Sequence, residues 1–175
     1  MAAKPRQIQE RAPLRDHTSD IPFKVISIDV LGPYPETRRG HRYVIMAQDV
    51  FTKWVEVKAV PCATAEKIIR FLETEVLARY CAPAHIISDR ETVFRSRAYI
   101  RFLEKHHIES NMMAAFNQRA NPVERRVQEL KKALRALTFQ RDKRSWDIFL
   151  PQALFVLRTR RNAATGETPS KLVLG

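Results

Sequence analysis

Three short β-branched runs in succession, then segments that alternate between strand and helix period, predict an α/β domain: a five-stranded mixed sheet flanked by helices. The chain has 175 residues, enough for one well-buried core and too few for two ordinary domains.

The first twenty residues carry mixed charge and two prolines without periodicity, so 1–20 is expected to be a flexible arm preceding a core over 21–175. Phe23 to Leu31 is the first strand, stopped by Gly32-Pro33 and Pro35. Tyr43 to Ala47 and Trp54 to Ala59 follow with short connections, as in an antiparallel meander. The period then changes. Thr64 is a good N-cap for a helix whose stripe is Ile68, Ile69, Leu72, Val76 and Leu77. Ala84 to Ser88 reads as a fourth strand ending at Asp89, and Ser96 caps a helix carrying Tyr99, Ile100 and Leu103. A brief strand around Ile108 precedes a long helix after Pro122, with Val127, Leu130, Leu134 and Leu137 buried. Trp146 opens a last helix through Phe149, Ala153, Leu154 and Leu157.

Composition narrows the partners. There are 31 Lys and Arg against 19 Asp and Glu, a formal charge of +12. That excess is larger than solubility needs, and a polyanion is its simplest account; charge alone does not separate DNA from RNA or an anionic membrane. No apolar run approaches the roughly 18–20 residues of a membrane span. Cys62 and Cys81 form neither a metal spacing nor a disulfide framework, and read as buried or half-buried thiols of a reducing compartment. His106 and His107 have no Cys or His partner at zinc spacing. Trp54 and Trp146 read as core anchors, and Arg158, Arg160 and Arg161 as a solvated basic helix end.

Three carboxylates stand out. Asp29 lies inside an apolar strand, where an unpaired charge costs several kcal/mol, so a cation or a hydrogen-bond donor must face it. Asp89 sits at the carboxyl end of a short buried strand, where α/β sheets present ligand-binding side chains. Each could equally serve a turn, since Asp favours strand-to-loop junctions. Glu124 opens the long helix, where a first-turn acid is ordinary. Its stripe is less ordinary: Glu124, Gln128, Lys131 and Arg135 share one face beside the core stripe. An acid, an amide and two cations in line suit a phosphate backbone passing a metal site, although a solvated helix face would look the same. Together, three carboxylates from two strands and a helix suit two hard divalent cations about 3.5–4 Å apart.

The segments Ile28-Asp-Val-Leu-Gly-Pro33, Tyr43 to Asp49, Phe51 to Trp54, Ile87-Ser-Asp89, Asn117 to Arg125 and Ala164-Thr-Gly-Glu-Thr-Pro169 occur in one order. In that order they resemble the integrase catalytic core of gypsy-type retrotransposons and retroviruses, over roughly residues 20–175. Glu124 follows Asp89 by 35 positions, close to that family's spacing. The resemblance implies an RNase H-like fold, with Asp29, Asp89 and Glu124 as catalytic ligands of two Mg²⁺ or Mn²⁺ ions. It implies 3′-end processing and strand transfer of element DNA in the nucleus, with a cytoplasmic particle stage, and self-association into homo-oligomers. Asn117 and Gln118 would lie in a loop near the DNA end, and Gln128 and Lys131 would approach DNA from the helix.

Two departures mark this chain. Ser88-Asp-Arg-Glu-Thr-Val-Phe94 carries Glu91 where the family has glycine, and Val127-Gln128 stands where an Asn-Arg pair is usual. Both changes, together with the expected absence of flanking zinc-binding and C-terminal domains, motivate an alternative: a catalytically weak or host-adopted integrase-derived domain that binds nucleic acid or self-associates.

Overall fold

The computed structural model describes residues 19–112 and 122–175. Residues 1–18 of the arm expected over 1–20, and the expected DNA-contacting pair Asn117 and Gln118, lie outside the described residues. Five strands form one sheet in the order β3-β2-β1-β4-β5. They are β1 (Val25–Leu31), β2 (Tyr43–Asp49), β3 (Val55–Val60), β4 (His85–Ser88) and β5 (Glu109–Met112). The first three pair antiparallel as a meander, whereas β4 joins β1 and β5 joins β4 in parallel. The mixed sheet expected from the sequence is the observed one, and every expected strand is present.

Helices cover both faces. The first is α1 (Ala65–Phe71), capped by Thr64, whose hydroxyl accepts from the Lys67 N–H. It runs on through a π-helical stretch, Leu72–Leu77, into the short α2 (Ala78–Tyr80). With α3 (Arg97–Lys105) it packs on the sheet face made by Ile26, Ile28, Ile45 and Ile86, where Ile68, Phe71, Tyr99 and Leu103 are buried. The other face belongs to α4 (Pro122–Leu137) and α5 (Leu150–Thr159), which bury Val127, Leu130, Leu134, Ala153 and Leu157 against Val44, Met46 and Val55. The period-2 alternation of β1 and β2 is what divides their side chains between these two cores.

Several details differ from the sequence reading. Trp146 does not open an α-helix; it lies in a 3₁₀ segment, Lys143–Phe149, because Pro151 is suited to the first turn of the helix that follows. An additional helix, α6 (Pro169–Leu174), is capped by Thr168. Cys62 and Cys81 are both exposed rather than buried. One follows Pro61 in the turn after β3, and the other ends α2 with φ +69, so neither falls on a core stripe.

Arg158 is likewise not a solvated helix end. Its guanidinium lies 4.2 Å from the Trp54 ring centre, donates to the Val55 carbonyl, and reaches Glu56 at 2.7 Å. Glu56, almost wholly buried, also accepts from Trp54 Nε1 and the Tyr80 hydroxyl. This network closes one end of the sheet. Trp54 and Trp146 are core anchors as expected.

The connection after β1 is pinned to the 3₁₀ segment. Trp146 Nε1 donates to the Pro35 carbonyl at 2.8 Å, His41 Nδ1 meets Asp147 at 2.8 Å, and the Arg38 N–H donates to the Arg144 carbonyl. Gly32 starts that connection with φ +134, and a Cβ there would stand 2.7 Å from the Arg42 carbonyl. Glycine is required by both conformation and space.

Candidate active site

Asp29 lies on β1 near its carboxyl end, facing Met46 across the antiparallel ladder. On the other side of β1, Ser27 pairs with Ile87 of β4 in parallel register. Carrying that register forward by two residues brings Asp29 level with Asp89, just past the end of β4. Residues level on neighbouring parallel strands project to the same side. Asp29 shares its side with Leu31 and Met46, so the pair faces the α4 layer. Two residues 60 positions apart thus meet at one edge, where the sheet changes from antiparallel to parallel pairing.

The electrostatics agree with this placement. The Asp29 carboxyl is pushed up to about 6, first by burial and then by the negative charges of Asp89 and Glu91. The Val30 N–H, which donates to Asp29 Oδ1 at 2.8 Å, and the Lys131 ammonium act in the opposite direction. Glu91 is raised as well, by burial and by Asp89. Asp89 accepts from the Glu91 N–H at 2.9 Å, which holds the loop after β4 in a turn. The sequence marks Glu91 as an added carboxylate, and the fold brings its charge onto Asp29.

The α4 residues divide. Glu124, Gln128, Lys131 and Arg135 are all exposed on one face, as the stripe requires. Lys131 acts on Asp29, and Arg135 acts on Tyr34 of the β1–β2 connection. Glu124 stands seven residues before Lys131, about 10 Å along the helix. Among the described residues, no three His, Cys, Asp or Glu side chains come close enough to hold one metal ion. The strand register brings Asp29 level with Asp89, and among the described residues the charges that shift Asp29 are those of Asp89, Glu91 and Lys131. What is present fits a divalent cation: oxygen donors from two strands, repelling one another, with one raised by burial.

Two features escaped the sequence reading. Arg126 is buried at 3% exposure and ion-pairs with Glu129 at 2.6 Å. Its position four residues before Leu130, on the flank of the core stripe, was the available signal. Tyr34 came from a segment read only as a turn, and nothing local marks it.

A family model described as "Integrase core domain" matches residues 19–118, more than half of the chain and inclusive of Asp29 and Asp89. The chain belongs to the integrase core domain family. Among curated proteins it is 25% identical over 150 residues to the Gypsy retrotransposon integrase-like protein 1 of Bos taurus, covering 85% of this chain and 29% of that protein. The Homo sapiens protein of the same name is 23% identical over 148 residues, covering 85% and 28%. The chain spans under a third of the length of these relatives.

Solved structures show the same fold. The integrase core's sheet and helices superimpose on the HTLV-2 integrase catalytic core domain in complex with magnesium (trimeric form) with a TM-score of 0.71, at 19% identity, over 88% of this chain and 98% of that one. The BIV integrase catalytic core domain matches with a TM-score of 0.69 at 21% identity, over 87% and 94%. The simian T-cell lymphotropic virus intasome in complex with PP2A regulatory subunit B56 gamma gives 0.77 at 18% identity, over 89% and 55%. The fold is the RNase H-like one of retroviral integrase cores.

Proposed function

We propose that this integrase core acts on DNA as a metal-dependent polynucleotidyl transferase, processing 3′ ends of element DNA and joining them to target DNA in the nucleus. The observation that carries this reading is the level placement of Asp29 and Asp89 at the carboxyl ends of two adjacent parallel strands. Asp29, Asp89 and Glu124 would hold two Mg²⁺ or Mn²⁺ ions, which when bound supply Lewis-acid activation of the attacking oxygen and stabilisation of the leaving one. The chain's own residues prepare that site. Burial and the negative charges of Asp89 and Glu91 make Asp29 costly to ionise alone, so binding a cation relieves an existing strain. Lys131 and Arg135, exposed on the same helix face as Gln128, would align the phosphate backbone along α4.

The test is metal binding and turnover in one series. Isothermal titration with Mn²⁺ should give saturable binding that Asp29→Asn and Asp89→Asn abolish. Nicking or disintegration of a branched DNA should require the same residues. Equal turnover by wild type and Asp89→Asn would overturn the reading.

A second reading has its own support. Glu91 adds a negative charge that acts on Asp29, where the resemblance leads one to expect a glycine. A catalytically weak, host-adopted domain would bind DNA with steep salt dependence and show no turnover. Self-association belongs to either reading, and Ile148, Phe155 and Val156 expose apolar surface that would serve it. No helix among the described residues is long and apolar enough to cross a membrane.

A further inference from the structure

Beside the aspartate pair lies a cavity of about 450 Å³ between the β1–β2 connection, α4 and the 3₁₀ segment. Its wall includes the rings of Tyr34 and Trp146, the ammonium groups of Lys131 and Lys143, and the guanidinium of Arg135. Among the described residues, none of these three cations has a hydrogen-bond or ion-pair partner. Among the described residues, no carboxylate lines the cavity. The two rings stand 5.3 Å apart, tilted by 51°, so together they offer an aromatic wall. The Tyr34 hydroxyl is buried and has no hydrogen-bond partner among the described residues. One wall is rigid, because Trp146 Nε1 is tied to the Pro35 carbonyl and the Arg38 N–H to the Arg144 carbonyl.

We infer that this cavity receives one unstacked nucleotide of a bound DNA strand, its base against Tyr34 and Trp146 and its phosphates against Lys131, Arg135 and Lys143. Three features support that occupant. The volume falls in the range of small-ligand sites, roughly 300–1,000 Å³, and suits one nucleotide. An apolar aromatic wall with unpaired cations matches a planar base joined to a phosphate. The site adjoins the proposed reaction centre, since Lys131 acts on Asp29 and the charges of Arg135 and Asp29 both reach Tyr34. Backbone contacts alone would need the cations but no aromatic recess.

The inference rests on the proposed action on DNA, so the experiment separates the two. Binding of this chain would be measured by fluorescence anisotropy to a duplex with one bulged 2-aminopurine nucleotide, and to the same duplex with an abasic bulge. The base should tighten binding about tenfold, and its fluorescence should be quenched on binding. Thr138→Phe, which fills the cavity, and Tyr34→Leu, which removes the stacking ring, should each reduce the bulged duplex to the abasic affinity. Lys143→Glu should weaken both duplexes. Equal affinity for base and abasic duplexes, with DNA binding intact, overturns the cavity assignment alone. A base preference that survives Thr138→Phe and Tyr34→Leu overturns it too. Saturable binding of free dAMP together with DNA binding indifferent to the base would reassign the cavity to a free nucleotide. Failure to bind any of these DNAs would overturn both the cavity assignment and the proposed function.

Discussion

Asp29 and Asp89 come level across the parallel boundary between β1 and β4, close enough that the charge of one acts on the ionisation of the other. The pair is a consequence of register. Shifting β4 by one residue would turn Asp89 to the opposite face and leave Asp29 without its neighbour.

The first prediction concerns pH. Asp29 is raised in the folded state from 3.8 to about 6. A carboxyl held higher when folded contributes stability that is complete below about pH 4 and disappears as pH rises through about 6. At pH 7.5, without metal, ionised Asp29 costs at most about 3 kcal/mol. Asp29→Asn should therefore raise the melting temperature at pH 7.5 in EDTA and leave it unchanged at pH 4. Thermal melts at the two pH values check this, and equal shifts at both would refute it.

Glu91 should be felt at Asp29. Its charge helps to hold the Asp29 carboxyl up, so Glu91→Gln should lower the Asp29 midpoint below its wild-type value. Carbon-detected NMR titration of the aspartate carboxyls reads this directly. An unmoved midpoint would mean that burial and Asp89 set it without Glu91.

Arg158 is predicted to be structural. Arg158→Ala removes the cation over Trp54, the bond to the Val55 carbonyl, and the partner of buried Glu56. Leaving a buried carboxylate short of its main cation should cost about 3 kcal/mol. Urea unfolding measures it, and a change below about 0.5 kcal/mol would place Arg158 among ordinary surface residues.

Neighbouring positions on α4 should separate stability from binding. Leu130 is 1% exposed, and Leu130→Ala should cost about 2–5 kcal/mol in unfolding free energy. Lys131 is exposed, so Lys131→Ala should change stability by less than about 0.5 kcal/mol. It should weaken DNA binding across sequences and reduce the salt slope by about one. A DNA affinity untouched by Lys131→Ala would remove this helix face from the proposed interface.

The fold was largely legible because its signals are local. Short β-branched runs bounded by turn residues gave β1 to β4, and the stripe of Val127, Leu130 and Leu134 gave α4, since burial imposes its pattern on the residues themselves. Asp29 and Asp89 were legible for a related reason: a carboxylate at the end of an apolar strand breaks a pattern that would otherwise exclude it. Other outcomes had no local trace. Arg158 looks like any basic residue at a helix end until β3 supplies Trp54, Val55 and Glu56 beneath it. Cys62 and Cys81 look like buried thiols until the turns that carry them are placed on the surface.

The sequence by itself determined which residues belong to strands and helices, which faces are apolar, and that Asp29, Asp89 and Glu124 are candidates. Only the tertiary structure decided that Asp29 and Asp89 come level, that the charge of Lys131 acts on Asp29, and that Tyr34 and Trp146 line a basic cavity. The reason is physical. Periodicity records how a residue relates to its own element, whereas distance between charges depends on strand register and helix placement, which are set by contacts between segments far apart in the chain.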